Sequence, residues 1–221
     1  MITIPALIFL GLPPDRAIAT NALSIFGALA SALPRFSRAK ATRWGTGLKL
    51  IPLSIIGGFI GSKALVRTNA DALYVVVGLL LLLLVPIILL NGDRGIKGFK
   101  ASKSRIALGG LVFFAVMIYG GFFGAAAGIF ARYALIFFFG MTYIESSATS
   151  LFTASFLSIT ALMVFIAHGL VDWELGLPMM AGMYIGGAIG AKTALEKGNA
   201  WVRIIFVVII AASAVKLLFF R

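Results

Sequence analysis

Cysteine is absent from the chain, histidine occurs once, and 7 acidic residues stand against 19 lysines and arginines. The lack of cysteine excludes disulfides and thiolate chemistry and removes any redox clue to compartment. With one histidine besides, a soft-metal centre has no ligand set, and neither a metal nor another cofactor is expected. Charge is scarce as well: 12% of the 221 residues are charged and 61% are hydrophobic, for a mean hydropathy of +1.08. Such a chain cannot fold as a water-soluble globule, and it reads as an integral membrane protein. Apolar runs able to cross roughly 30 Å of hydrocarbon at about 1.5 Å per residue recur along its length, so residues 1–221 form a single membrane domain. The formal charge of +12 sits mostly between those runs. There anionic headgroups and the positive-inside rule account for it, and no nucleic-acid partner is expected. The opening Met1-Ile2-Thr3-Ile4-Pro5 has no basic region followed by a cleavage site, so no signal peptide is read.

Breaks fall at Pro13-Pro14-Asp15 and over residues 35–49, 67–71 and 91–105. Between them the pattern predicts three spanning helices, over about 17–36, 46–66 and 72–90. After Arg105 an apolar stretch over 106–119 runs into Gly120-Gly121-Phe122-Phe123-Gly124-Ala125-Ala126-Ala127-Gly128 and resumes over 129–139. Each part is expected to be a half-helix too short to span comfortably. Three more helices are predicted over 146–167, 173–195 and 200–220.

GGFIGSK at residues 57–63 and GGAIGAK at residues 186–192 fall into register when the chain is slid on itself by 129 residues. At that one offset Phe9 meets Phe138, Gly11 meets Gly140 and Ala19-Thr20 meets Ala148-Thr149. Ala32-Leu33 likewise meets Ala161-Leu162, Phe36 meets Phe165, Trp44 meets Trp173 and Gly47-Leu48 meets Gly176-Leu177. Apolar composition alone would not align two of only three tryptophans. The expected architecture is therefore all-α and polytopic, with two tandem homologous units of about 1–100 and 101–221 and broken Gly-rich half-helices. Duplicated helical units in a membrane belong most often to transporters, whose halves enclose a site near the midplane. Gly57, Gly58 and Gly61 share a helix face and suit close packing of a second helix, with substrate lining as the other reading.

Pro5-Ala6-Leu7, Gly11-Leu12-Pro13-Pro14, Ala17-Ile18-Ala19-Thr20-Asn21, Gly57-Gly58 with Gly61, Tyr119-Gly120-Gly121-Phe122-Phe123-Gly124 and Gly169-Leu170-Val171-Asp172-Trp173 follow one another in this order. Together they resemble the sulfite exporter TauE/SafE (TSUP) family of membrane anion transporters, over nearly the whole chain. The resemblance implies multi-pass transport in the cell membrane of sulfite, sulfonates, other small organosulfur compounds or small carboxylates, with no catalytic reaction. Two departures stand out. The family normally carries a Gly-rich half-helix before the segment matching residues 2–10, so an upstream stretch of that kind is expected. Ala134 stands where the second unit of the family commonly has proline, with Arg132 nearby.

Glycines permit unwound backbone whose amides can face an anion beside the positive end of a half-helix, which makes Gly120, Gly121, Gly124 and Gly128 candidate lining residues. A close-packed bend is the plainer reading. Thr20-Asn21 and Thr149-Ser150 place hydroxyls and an amide early in paired helices, for substrate contact or for capping and interhelical hydrogen bonds. Arg132 is the sharpest candidate, because a guanidinium one turn inside an apolar half-helix needs water, a partner or a substrate, and its planar fork suits sulfonate or carboxylate oxygens. Snorkelling to an interface is its alternative. Glu145 is a candidate partner of Arg132 or a proton carrier in coupling. Lys63, Lys192 and His168 read as helix-end or loop residues. The site is expected between the units, where the Gly-rich break, Arg132, Thr20 and Thr149 would converge on one small anion; the other partner is the bilayer, and a homodimer stays open.

A membrane-embedded enzyme is the competing class, but it needs a nucleophile with a base, and His168 lies at a helix end. A Ser/Lys pair and a cargo-free scaffold remain as alternatives. Residues 35–49 and 91–105 each hold five Lys or Arg, separated by two predicted spans, and both should face the cytoplasm. The second unit's equivalent of the first loop, residues 168–173, has no Lys or Arg, whereas the next turn carries Lys192, Lys197 and Arg203. That reversal favours inverted repeats.

Overall fold

Proline fixes where the first long helix begins. Pro13 stands at the cap and Pro14 at the first turn, where a missing N–H costs nothing, and Arg35 and Arg38 close the last turn against the negative end of the helix. The computed structural model describes residues 3–68, 98–124 and 127–219, and every regular element among them is an α-helix. The helix expected over 72–90 lies outside the described residues. The described helices are α1 (Thr3–Phe9), α2 (Pro14–Arg38), α3 (Trp44–Arg67), α4 (Lys103–Phe122), α5 (Ala127–Phe139), α6 (Tyr143–Ala167) and α7 (Trp173–Phe219), the last interrupted by one non-helical residue, Gly198. Among the described residues α2, α3, α4 and α6 are long and apolar enough to cross a membrane.

The expected half-helix over 106–119 is corrected. The helix runs on through Gly120 and Gly121 to Phe122, and its 20 residues are of spanning length. Neighbouring helices hold those glycines in helical form. A Cβ on Gly121 would lie 2.5 Å from the Gly58 carbonyl oxygen, and one on Gly120 3.1 Å from Ala127 and Leu157. The turn instead centres on Gly124, whose φ of +74° favours glycine. Gly128, expected in the break, lies inside α5.

Helix directions follow from the packing. Early α2 residues Ala17, Ile18 and Leu23 pack with late α6 residues Ala161 and Phe165, whereas late α2 residues Ala32 and Phe36 pack with Tyr143 and Ala148 at the start of α6. Thus α2 and α6 are antiparallel. Along α2, Gly27 meets Met180 and Tyr184 of α7, and Ala28 meets Gly187, so those two helices advance together. In the same way α3 advances along α6, with Gly47 against Thr149 and Phe152 and Gly58 against Leu157.

Both α2 and α6 have 25 residues, and 143 less 14 and 173 less 44 both give 129 for the starts of α6 and α7 against those of α2 and α3. The left-handed residue after α2 is Lys40, at φ +53°, and the one after α6 is Gly169, at φ +66°, again 129 residues on.

Small residues make the helix interfaces, as packing in a bilayer requires. Buried Ser24, Ser31, Ser54, Ser146 and Ser150 donate their hydroxyls to carbonyls three or four residues back in their own helices, so they can lie among apolar neighbours. Large apolar side chains such as Ile56, Phe59, Ile60, Leu111, Met163, Ile185 and Ile189 are exposed. In water such a surface would aggregate; toward lipid it is at no disadvantage.

Candidate functional site

Thr142 and Glu145 form a capping box at the start of α6. Thr142 Oγ1 accepts the Glu145 N–H at 3.3 Å, and Glu145 Oε2 accepts the Thr142 N–H at 2.8 Å. The other carboxylate oxygen, Oε1, accepts from Arg43 Nε at 2.9 Å. The pair bridges the α2–α3 turn to α6, 102 residues apart. Beside it lies a cavity of about 760 Å³ lined by Arg43, Thr46, Phe99, Lys100, Thr142 and Glu145 among others. The two basic segments, through Arg43 and Lys100, thus line one cavity at an end of the helix bundle.

Glu145 is a sequence candidate for pairing with Arg132, and its ionic partner among the described residues is Arg43. Arg132 Nε instead donates to Ser150 Oγ at 3.4 Å. The reason is geometric. α5 turns back into α6 through residues 140–142, so Arg132, seven residues before the end of α5, meets Ser150 rather than the first turn. Five residues of helix, about 7.5 Å, separate Ser150 from Glu145.

Thr149 Oγ1 accepts the backbone N–H of Arg43 at 3.1 Å, and Thr20 Oγ1 accepts that of Asp172 at 3.0 Å. Both threonines are fully buried. Because α2 and α6 are antiparallel and each threonine is seventh in its helix, they stand on the order of 20 Å apart along the axis. The structure therefore does not bring Thr20 and Thr149 together. It brings Thr149, Ser150 and Arg132 into one neighbourhood, and Asn21 into another, where Asn21 Oδ1 accepts from Thr3 Oγ1 at 2.7 Å. Among the expected lining glycines, Gly120 and Gly121 are buried at helix contacts, Gly124 shapes the α4–α5 turn, and Gly128 is exposed with open space where a Cβ would go.

The remaining singled-out residues sit at helix ends and surfaces. Lys63 Nζ lies 4.6 Å over the Phe59 ring, and Lys192 pairs with Glu196 at 3.8 Å on an exposed face. His168 Nδ1 is 2.8 Å from the Val164 carbonyl oxygen, and Asp172 caps α7 by accepting the Leu175 N–H at 3.0 Å. The sequence reading missed Arg43, which it counted only as one charge of a basic loop. The Thr-x-x-Glu spacing of residues 142–145 was the available signal: it marks Glu145 as a helix-start residue, committed to a cap.

All-helical among the described residues, with four helices of spanning length, a lipid-compatible surface and a charged cavity at one end, the fold is that of a helical membrane protein. The sulfite exporter TauE/SafE profile matches residues 1–217, and the chain belongs to that family. It is 30% identical over 224 residues to "Probable membrane transporter protein YfcA" of Escherichia coli K12, covering 99% of this chain and 81% of that one. A "Probable membrane transporter protein ORF9" from a Sinorhizobium species is 28% identical, with 99% and 84% covered, and a "Probable membrane transporter protein" of Haemophilus influenzae is 27% identical, with 92% and 80% covered. No solved structure matches.

Proposed function

We infer that the protein is a multi-pass transporter of the cell membrane that exports small anions such as sulfite, sulfonates or small carboxylates, through two inverted, homologous halves. The observation that carries this reading is the repetition of contacts at the 129-residue offset between antiparallel helices. Arg43 N–H on Thr149 corresponds to Asp172 N–H on Thr20. Arg132 on Ser150 corresponds to Thr3 on Asn21, and Gly58 against Leu157 to Gly187 against Ala28. Paired halves of opposite direction are the architecture of alternating access. Trp44 and Trp173, both about half exposed, then stand at opposite interfaces, where amphipathic rings are favoured.

Within this reading Arg132 with Ser150 forms the inner anion site, next to the α4–α5 turn at Gly124. Asn21 holds the equivalent place in the first half, and Thr20, Thr149, Gly120 and Gly121 hold the helices that frame it. Export of one negative charge from a cell interior at about −100 mV gains roughly 2.3 kcal/mol, enough for roughly a 50-fold gradient without a coupling ion. Purified protein in liposomes, assayed for flux of sulfite, short alkanesulfonates and short carboxylates under an imposed potential, tests the proposal. Potential-dependent anion flux is expected. No flux of any of these anions above empty liposomes would return the protein to the scaffold or enzyme reading.

A further inference from the structure

The charged cavity at the basic end of the bundle has no part in the inner site. Its acidic side chain, Glu145, is committed twice, to the Thr142 N–H through Oε2 and to Arg43 through Oε1. Arg43 is committed once. Its backbone N–H is anchored on buried Thr149, and its guanidinium meets Glu145 through Nε alone, at 2.9 Å. Nη2 lies at the wall beside Gly98, 3.6 Å from where a Cβ would stand, so an oxyanion in the cavity can address the guanidinium edge. Arg43 and Glu145 are 39% and 28% exposed, so both are reachable from the cavity. Lys100 adds a second cation at the wall, and Arg105 stands 4.7 Å over the ring of Phe99, another wall residue. Charge at the cavity is therefore positive, with Glu145 as the resident counter-ion. Phe99, Ile106 and Phe139 supply apolar wall, and about 760 Å³ lies in the range of small-molecule sites.

We propose that the cavity beside Arg43 and Lys100 is a loading site for the transported anion, and that the anion binds by displacing Glu145 from Arg43. The ligand chemistry is a sulfonate or carboxylate head on a short apolar body. The head takes the Arg43 fork and the body lies along Phe99. Displacement removes the ionic link between the α2–α3 turn and α6, so filling the site also loosens the contact between the two halves at that end. This assignment rests on the anion-transport reading, with Arg43 as the receptor and Glu145 as its intrinsic competitor.

That competition sets opposite signs for two substitutions. Glu145→Gln keeps the capping-box acceptor, so α6 stays capped at Thr142, while it removes the competing charge. Binding of butanesulfonate and butyrate to purified protein in nanodiscs, by calorimetry, should tighten at least threefold in Glu145→Gln. In Arg43→Gln it should weaken at least tenfold, with partial return in Arg43→Lys, because a point charge lacks the fork. Arg38→Gln, in the same basic segment but away from the cavity, should bind like wild type, and butyltrimethylammonium should not bind. If monodisperse Glu145→Gln binds more weakly than wild type, or if Arg43→Gln binds equally well, the displacement proposal is overturned. The transport reading fails separately: wild-type liposomes without anion flux would refute it, while the opposite-sign shifts in binding would still stand.

Discussion

Thr149 on α6 accepts the backbone N–H of Arg43 at 3.1 Å, and Thr20 on α2 accepts that of Asp172 at 3.0 Å, the same contact made twice at an interval of 129 residues. Each bond ties the turn between two helices to a third helix, across 106 and 152 residues of sequence. Valine keeps the shape of threonine and removes the acceptor, leaving a backbone N–H without a partner. Thr20→Val and Thr149→Val should each lower unfolding free energy by about 1–3 kcal/mol. The sites stand on the order of 20 Å apart along the helix axis, so the double substitution should be additive within about 0.5 kcal/mol. Reversible denaturation in detergent measures all three, and no loss in either single variant would show that the bonds carry no stability.

The duplicated glycine motif has two structural fates. A Cβ on Gly61 would overlap the Ile118 carbonyl oxygen of α4, whereas one on Gly190, its counterpart, would meet open space. Gly61→Ala should therefore destabilise by about 1–3 kcal/mol through overpacking, and Gly190→Ala should be neutral or slightly stabilising, since alanine is the better helix former. Equal melting temperatures for the two variants would contradict the close α3–α4 approach.

Thr42 Oγ1 is buried and, among the described residues, has no hydrogen-bond partner, while the residue 129 positions on is buried Val171. Thr42→Val should raise stability, by about 1 kcal/mol or more, because it removes a desolvated hydroxyl without changing volume. A lowered melting temperature would mean that the hydroxyl is satisfied in the folded protein.

The inner anion site is checked through Arg132. Under the transport reading, Arg132→Gln should weaken anion binding at least tenfold in monodisperse protein, and Arg132→Lys should restore only part of it. Wild-type affinity in Arg132→Gln would leave Arg132 a structural residue of the α5–α6 contact.

Topology is open to labelling because the chain has no native cysteine. Ala39 follows α2 and His168 follows α6, both exposed. With inverted halves, a cysteine at 168 should be labelled from outside intact cells by a membrane-impermeant maleimide. A cysteine at 39 should react only after permeabilisation. Labelling of both or of neither from outside would rule out the inverted arrangement.

What the sequence determined by itself is what depends on composition and local period. Hydropathy by itself excluded a soluble fold, and the helix starts expected at about 17, 46 and 173 lie within a few residues of the observed Pro14, Trp44 and Trp173. The 129-residue register was legible because identities at one offset do not depend on how the helices pack. Tertiary structure alone decided which side chains meet. Glu145 could be placed at a helix start from Thr-x-x-Glu, yet its pairing with Arg43 depends on α3 lying along α6, a contact 102 residues long in sequence. Gly120 and Gly121 read as a break because glycine is a poor helix former, whereas in the fold both lie inside α4, Gly121 against the α3 backbone at Gly58 and Gly120 against Ala127 and Leu157. Thr20 and Thr149 are each seventh in a 25-residue helix but stand at opposite levels of the bundle, because antiparallel helices separate such residues in proportion to their distance from the helix centre, and no local pattern carries direction.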